Sequence, residues 1–333
     1  MFRNKIGKNI IICGVVIFGL ISPKIVSALN VSSIRMAGPD RYDTAVAISK
    51  AGWTKSDSVI IATGMDFKDA LVAAPYAKSK DAPVILTSKN QLSINSINEI
   101  KRLQAKNVYI IGNTSAVSDN VKNQLISLGI SVNRISGDNK YATAVEVAKE
   151  MGTSNGIVIT TSATFADALS IVPIAASYNM PILLTDSNTL PSEVKNYISG
   201  KEIPKTYIIG GTGAVSDTVK NAFSNTVRIG GKNRYETNLF VMKYFQDDID
   251  FSNVFAATGL NFPDALSGAA LAAKYNSPLI LTNANMPSAT DFYLKTKALT
   301  GFTLLGGTAV ISTSLEKTIQ AYKVESFSIV SIE

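Results

Sequence analysis

The stretch Arg35-Met-Ala-Gly-Pro-Asp-Arg-Tyr-Asp-Thr44 returns as Arg134-Ile-Ser-Gly-Asp-Asn-Lys-Tyr-Ala-Thr143 and again as Arg228-Ile-Gly-Gly-Lys-Asn-Arg-Tyr-Glu-Thr237. Three further blocks follow each copy in the same order. They are Phe67-Lys-Asp69-Ala-Leu71, Phe165-Ala-Asp167-Ala-Leu169 and Phe262-Pro-Asp264-Ala-Leu266; then Pro83-Val-Ile-Leu-Thr87, Pro181-Ile-Leu-Leu-Thr185 and Pro278-Leu-Ile-Leu-Thr282. The last are Ile111-Gly112-Asn-Thr114, Ile209-Gly210-Gly-Thr212 and Leu305-Gly306-Gly-Thr308. Four blocks in one order, three times, define a repeat of roughly 95 residues.

Within the first unit, helix-like and strand-like segments alternate. Tyr42 to Ala51 is amphipathic, Ser58 to Thr63 is a short β-branched run, and Asp69 to Lys78 reads as a helix. Pro83 to Thr87 is a buried strand, and Ser93 to Gln104 places Ile94, Ile97, Ile100 and Leu103 on one helical face. Val108 to Ile111, a helix from Ser118 to Leu128 closed by Gly129, and Val132 to Ile135 complete the pattern. Continuous apolar strands between helices specify a parallel sheet covered on both faces. The expected fold is α/β: three tandem Rossmann- or flavodoxin-like repeats. Ile135 runs through Ser136-Gly137-Asp138 straight into the next helix, too short a connection for a free linker, so the units are expected to pack together.

The first 28 residues read as a leader. Arg3, Lys5 and Lys8 precede the apolar run Asn9 to Ser22, and Val26-Ser27-Ala28 offers a cleavage site after Ala28. The expected division is 1–28 signal peptide, 29–127 first repeat, 128–226 second and 227–333 third, with no fused catalytic domain. The single cysteine, Cys13, falls in the leader, so no disulfide or thiol chemistry is expected afterwards. The leader also takes four of the 32 basic residues and none of the 25 acidic ones, which leaves a net charge of about +3. This suits an acidic polymer and falls short of a nucleic-acid-binding signature.

Histidine is absent, which removes the Ser-His-Asp and Cys-His catalytic sets and the usual zinc sites. The turn Gly211-Thr-Gly213-Ala-Val-Ser216 lacks the third glycine of a dinucleotide fingerprint, so no cofactor is expected. Asp247-Asp248-Ile-Asp250 lacks calcium-loop spacing and reads as a solvated loop, and no metal site is expected. Asp69, Asp167 and Asp264 read as helix N-caps or dipole partners, or as partners of an arginine across a unit boundary. The glycine turns at Gly112, Gly210-Gly211 and Gly306-Gly307 offer backbone N–H groups to an anion, or are simply tight turns. Arg41, Lys140 and Arg234 hold positive charge at one matched position, and Arg35, Arg134 and Arg228 at another. Polymer contact and inter-unit salt bridging both remain open for them. Tyr42, Tyr141 and Tyr235 are candidates for packing with a wetted hydroxyl, or for stacking on sugar.

These blocks together resemble the clostridial cell-wall-binding repeat of type 2, over about Ile34 to Val324. The resemblance implies three Rossmann-like copies packed as a pseudo-threefold trimer. It implies non-covalent attachment to an anionic secondary wall polymer, in a secreted, Gram-positive cell-surface setting. It also implies that the Pro-Ile-Leu-Leu stretch serves polymer binding. That stretch is Pro181-Ile182-Leu183-Leu184 in the second repeat, with Pro83-Val84-Ile85-Leu86 and Pro278-Leu279-Ile280-Leu281 as the other copies. The reading is of a wall anchor and not an enzyme, with surface-layer proteins or an autolysin as protein partners. It includes no nucleic-acid partner, and no membrane partner after cleavage. The alternatives are a docking subunit for a separate wall hydrolase and a Rossmann-class enzyme.

Overall fold

Each copy of the opening motif begins with a strand that completes the sheet of the unit before it. The computed structural model describes residues 30–323, so the expected leader over 1–28 lies outside the described residues. The chain runs β1 (Ser32–Met36), α1 (Arg41–Gly52), β2 (Ser58–Thr63), α2 (Phe67–Ser79), β3 (Val84–Thr87), α3 (Ile94–Arg102), β4 (Asn107–Ile111) and α4 (Asp119–Ser127). It continues through β5 (Ser131–Ile135), α5 (Lys140–Met151), β6 (Ile157–Thr161), α6 (Ala166–Ser177), β7 (Ile182–Thr185), α7 (Ser192–Ile198), β8 (Thr206–Ile209) and α8 (Asp217–Lys220). The last set is β9 (Thr226–Ile229), α9 (Arg234–Tyr244), β10 (Asn253–Thr258), α10 (Pro263–Lys274), β11 (Leu279–Thr282), α11 (Ser288–Leu294), β12 (Gly301–Leu305) and α12 (Thr313–Gln320).

Three parallel four-stranded sheets result, ordered β3-β2-β4-β5, β7-β6-β8-β9 and β11-β10-β12-β1. Each is the flavodoxin-like order, as the alternation of buried strands and helices predicts. The third sheet takes its last strand from the start of the chain: Ser32 to Met36 lie in register with Gly301 to Leu305. Val31 N–H donates to the Tyr322 carbonyl at 3.0 Å, so the two ends of the described chain meet and close the ring.

The opening motif has a structural reason at nearly every position. Its sixth residue caps the following helix: Asp40, Asn139 and Asn233 accept from the backbone N–H groups of the first turn at 2.8 to 3.1 Å. The final threonine, Thr44, Thr143 or Thr237, accepts from the glycine N–H at 3.0 to 3.1 Å. That glycine cannot carry a side chain, because a Cβ on Gly38, Gly137 or Gly231 would stand 2.2 to 2.4 Å from the Cβ of the residue before the threonine. The leading arginine closes the unit. Arg35, Arg134 and Arg228 each donate Nη1 to the carbonyl of Gly306, Gly112 and Gly210, at 2.8, 2.8 and 3.0 Å. Their other amino groups pair with Glu316, Asp119 and Asp217.

The units meet along three central helices, α2, α6 and α10, each packed on the other two. Alanines at Ala70, Ala73, Ala77, Ala168, Ala175, Ala265, Ala269 and Ala272 are buried and let the helices approach closely. At the N-terminal end of this bundle, Phe67, Phe165 and Phe262 form a triangle with ring centres 5.7, 5.8 and 6.1 Å apart. The triangle marks the pseudo-threefold axis. The first residue of each Phe-x-Asp-Ala-Leu block is therefore an inter-unit contact.

Candidate functional site

In an open parallel sheet, loops at the carboxyl ends of the strands form a crevice where the chain reverses its strand order. Here that point lies between β2 and β4, and between their counterparts β6 and β8. Clefts open there at two junctions, each walled by one unit and floored by the next unit's motif. The first, about 610 Å³, is lined by Met65, Lys68, Asp69, Lys89, Asn113 and Lys140, among others. The second, about 250 Å³, is lined by Asp167, Gly211, Gly213, Lys232 and Arg234, among others.

The recurrent aspartate stands at the back of each cleft. It is not a cap: Asp66 caps α2, while Phe165 and Phe262 occupy the cap positions of α6 and α10. Instead Asp167 faces Thr237 and Arg234 of the next unit, both of which favour its charged form. Asp264 likewise meets Arg41 and Thr44, so the third unit is tied to the first. Burial nevertheless leaves both carboxyls above their usual range. Asp69 is pushed up to about 6, chiefly by burial, with Asp66 adding and Lys68 opposing. The unfolded-state value is near 3.8, so the folded protein holds this proton more tightly. Stability is therefore lost as pH rises from about 4 to about 6, by about 3 kcal/mol. Asp69→Asn should raise the melting temperature by roughly 5 °C at about pH 7.5 and leave it unchanged at about pH 3.5. A thermal melt at the two pH values checks this, and an equal shift at both would refute it.

The glycine turns resolve in favour of structure at their first position. Gly112, Gly210 and Gly306 have φ near +110°, and a Cβ on any of them would lie 2.5 to 3.0 Å from the carboxylate of Asp69, Asp167 or Asp264. Their N–H groups already donate to Ile135, Ile229 and Met36. These three glycines are thus not anion donors, which corrects the expectation for them. The second glycine differs: Gly211 lines the second cleft, and a Cβ on Gly307 would meet nothing.

The Pro-Ile-Leu-Leu stretches also need correction as contact residues. Pro83, Val84, Ile85 and Leu86 are buried, as are Pro181 to Leu184 and Pro278 to Leu281. Each strand packs under a helix of a neighbouring unit: α10 on β3, α2 on β7 and α6 on β11. Their side chains hold the ring together and are not available to a ligand.

The matched basic residues divide. Arg41 donates to the Gly64 carbonyl and stands 5.9 Å over the Phe262 ring of the third unit. Arg234 repeats this with the Gly259 carbonyl and Phe165 of the second unit, at 5.6 Å. Both arginines therefore bind across a junction. Lys140 instead places its ammonium 4.8 Å from the ring of its own neighbour, Tyr141, at the edge of the first cleft. Tyr42, Tyr141 and Tyr235 are half-buried against the core, and the Tyr141 hydroxyl reaches Ser162 at 3.0 Å. Lys68, Lys89 and Lys232 also edge the clefts and escaped the sequence reading. The matched positions hold Ala166 and Pro263, Ser187 and Ala284, and Pro39 and Asp138, so a search for recurrence passes over them.

Comparison with known proteins agrees with this architecture. The chain is 39% identical over 282 residues to the N-acetylmuramoyl-L-alanine amidase LytC of Bacillus subtilis, covering 84% of this chain and 56% of the relative. It is 35% identical over 290 residues to the amidase enhancer of the same organism, covering 86% and 40%. The chain thus spans about half the length of these relatives. Among solved structures it resembles Cwp6 from Clostridium difficile, with TM-score 0.83 and 29% identity, over 92% of this chain and 50% of that one. Cwp8 from the same organism gives 0.79 and 27%, over 86% and 51%. The model of cell wall binding domain 2 matches residues 35–122, 134–220 and 228–316, and the chain belongs to that family.

Proposed function

We propose that this chain is a cell-surface anchor that attaches non-covalently to an anionic secondary wall polymer, gripping it in the clefts between its repeats. The observation that carries the reading is the placement of Lys89 and Lys140 in the first cleft and Lys232 in the second, at the strand ends where such folds take ligands. The part shared with the amidase and its enhancer is the repeat region, which supports binding and not catalysis as the chain's own activity. Among the described residues no helix is long and apolar enough to cross a membrane. The two curated relatives also favour a second reading, in which the anchored chain assists a separate wall amidase.

The test is retention of the purified protein on isolated walls before and after the anionic polymer is stripped chemically. Retention should fall at least about tenfold and should weaken with salt, since exposed charges are screened over about 8 Å at physiological ionic strength. Equal retention on stripped walls would overturn the reading.

A further inference from the structure

The second and third units meet at the opposite end of the sheets, and there the surface carries several aromatic rings, four of them in mutual contact. Tyr178 caps the C-terminus of α6, Tyr207 lies at the start of β8, and Phe240, Tyr244 and Phe245 lie on or just beyond α9. Tyr244 contacts Tyr207 and Phe245 with ring centres 5.9 and 4.9 Å apart, and Phe245 contacts Tyr207 and Tyr178 at 5.2 and 5.9 Å. Phe245 is buried beneath, while Tyr178, Phe240 and Tyr244 are 37%, 41% and 48% exposed. Phe240 and Tyr244 are four residues apart on one helix and share a face.

The fold does not require these rings. At the first junction the matched positions hold Lys80, Tyr109, Glu146, Glu150 and Met151. There the Lys80 ammonium lies 5.2 and 5.5 Å from the ring centres of Tyr76 and Tyr109, and Glu146 is paired with Lys149. At the third junction they hold Tyr275, Thr303, Ala47, Ala51 and Gly52, and Tyr275 is stacked on Phe255. Among the described residues, the second–third junction alone gathers several exposed rings, since the third has the single exposed Tyr275, and exposed rings weigh against solubility unless they are used.

The border of the platform narrows what it can hold. Gln246, Asp247 and Asp248 are exposed beside it, and the Asp248 carboxylate faces the Tyr178 hydroxyl. The acidic run read from sequence as a solvated loop is thus the rim of the aromatic surface. Carboxylates here repel a phosphate-bearing chain and accept hydrogen bonds from hydroxyl groups. A pyranose offers an apolar C–H face to a ring and hydroxyls at its edge. Three exposed rings are too small for a stable protein interface, which needs about 1,000 Å² in all.

We propose that Tyr178, Phe240 and Tyr244 form a stacking site for the uncharged sugar rings of a wall glycan, separate from the clefts at the other end of the sheets. The test uses a soluble β-1,4-linked N-acetylglucosamine hexamer, titrated calorimetrically into the full chain at about 0.5 M NaCl, where exposed charge contacts are suppressed. The expected result is weak, saturable, salt-independent binding that falls about tenfold in Tyr244→Ala and persists in Tyr244→Phe. Phe240→Ala, at a solvent-facing position, should lower it several-fold with an unchanged melting temperature. No binding to the hexamer, or binding untouched by both alanine variants, would overturn the proposal. So would concentration-dependent dimerisation that these variants abolish while the hexamer fails to bind. Retention on native walls through the clefts does not depend on either outcome, so the two readings fail separately.

Discussion

Deleting the first strand, residues 30–36, should destabilise the third unit more than any single substitution discussed above. Ser32 to Met36 supply one whole edge of the third sheet, paired in parallel with Gly301 to Leu305. Without it, β12 becomes an open edge with unpaired backbone groups, a template for aggregation. Arg35 is also lost, so the Gly306 carbonyl loses its 2.8 Å donor and Glu316 its 2.7 Å partner. The contact of Val31 with Tyr322 disappears as well. Because the third unit packs on both others through α10, its loosening exposes apolar helix faces all around the axis. A fall in melting temperature of at least about 10 °C is expected, with a loss of soluble yield; one kcal/mol shifts the melt of a chain this long by about 1.5–2 °C. Arg35→Ala, which keeps the strand, should cost only a part of this, about 1–3 kcal/mol. A synthetic peptide spanning residues 29–40, added in excess, should restore part of the lost melting temperature by mass action. An unchanged melt for the deletion would show that ring closure contributes nothing.

How much of this was legible in the sequence depends on whether symmetry or context set each feature. The strands and helices of the first unit were readable because their apolar periodicity is strong; Ser58–Thr63 stands as a strand with the expected limits. The packing of the units followed from the short connection after Ile135. Val132 to Ile135 was readable as the fourth strand of the first unit, but the sequence could not show that Ser32 to Met36 complete the third sheet, since β-strand pairing is non-local and leaves no mark in periodicity. The buried state of Val84 to Leu86 was implicit in four consecutive apolar residues including the proline, yet the resemblance alone pointed to a ligand role there. The lysines of the clefts were invisible for the opposite reason. Recurrence marks only matched positions, and Lys68, Lys89 and Lys232 do not recur. The aromatic platform escaped in the same way, because Tyr244 matches Glu150 and Ala51 and so breaks the repeat.

Replacing basic residues should separate stability from binding along the line the geometry draws. Arg41→Gln and Arg234→Gln each remove a donor to a half-buried carbonyl, Gly64 or Gly259, and a cation standing over a phenylalanine of another unit. They also take away the charge that opposes the burial of Asp264 and Asp167. Leaving a buried carbonyl unpaired costs about 1–3 kcal/mol, so each arginine variant should melt several degrees lower. Lys140 and Lys89 carry no such duty: Lys140 rests on its own Tyr141, and Lys89 is exposed at the mouth of the first cleft. The double variant Lys89→Gln with Lys140→Gln should therefore melt like the wild type. If the first cleft holds an anionic chain, each lysine contributes a charge-assisted contact worth about 1.5 kcal/mol, and the pair together should lower wall affinity ten- to hundredfold. Two fewer cations should also flatten the decline of retention with salt. Retention and melting are measured on the same preparations. A double lysine variant that binds as before would remove the first cleft from the polymer site. Arginine variants that melt as before and bind poorly would instead make Arg41 and Arg234 ligand residues, not fasteners of the ring.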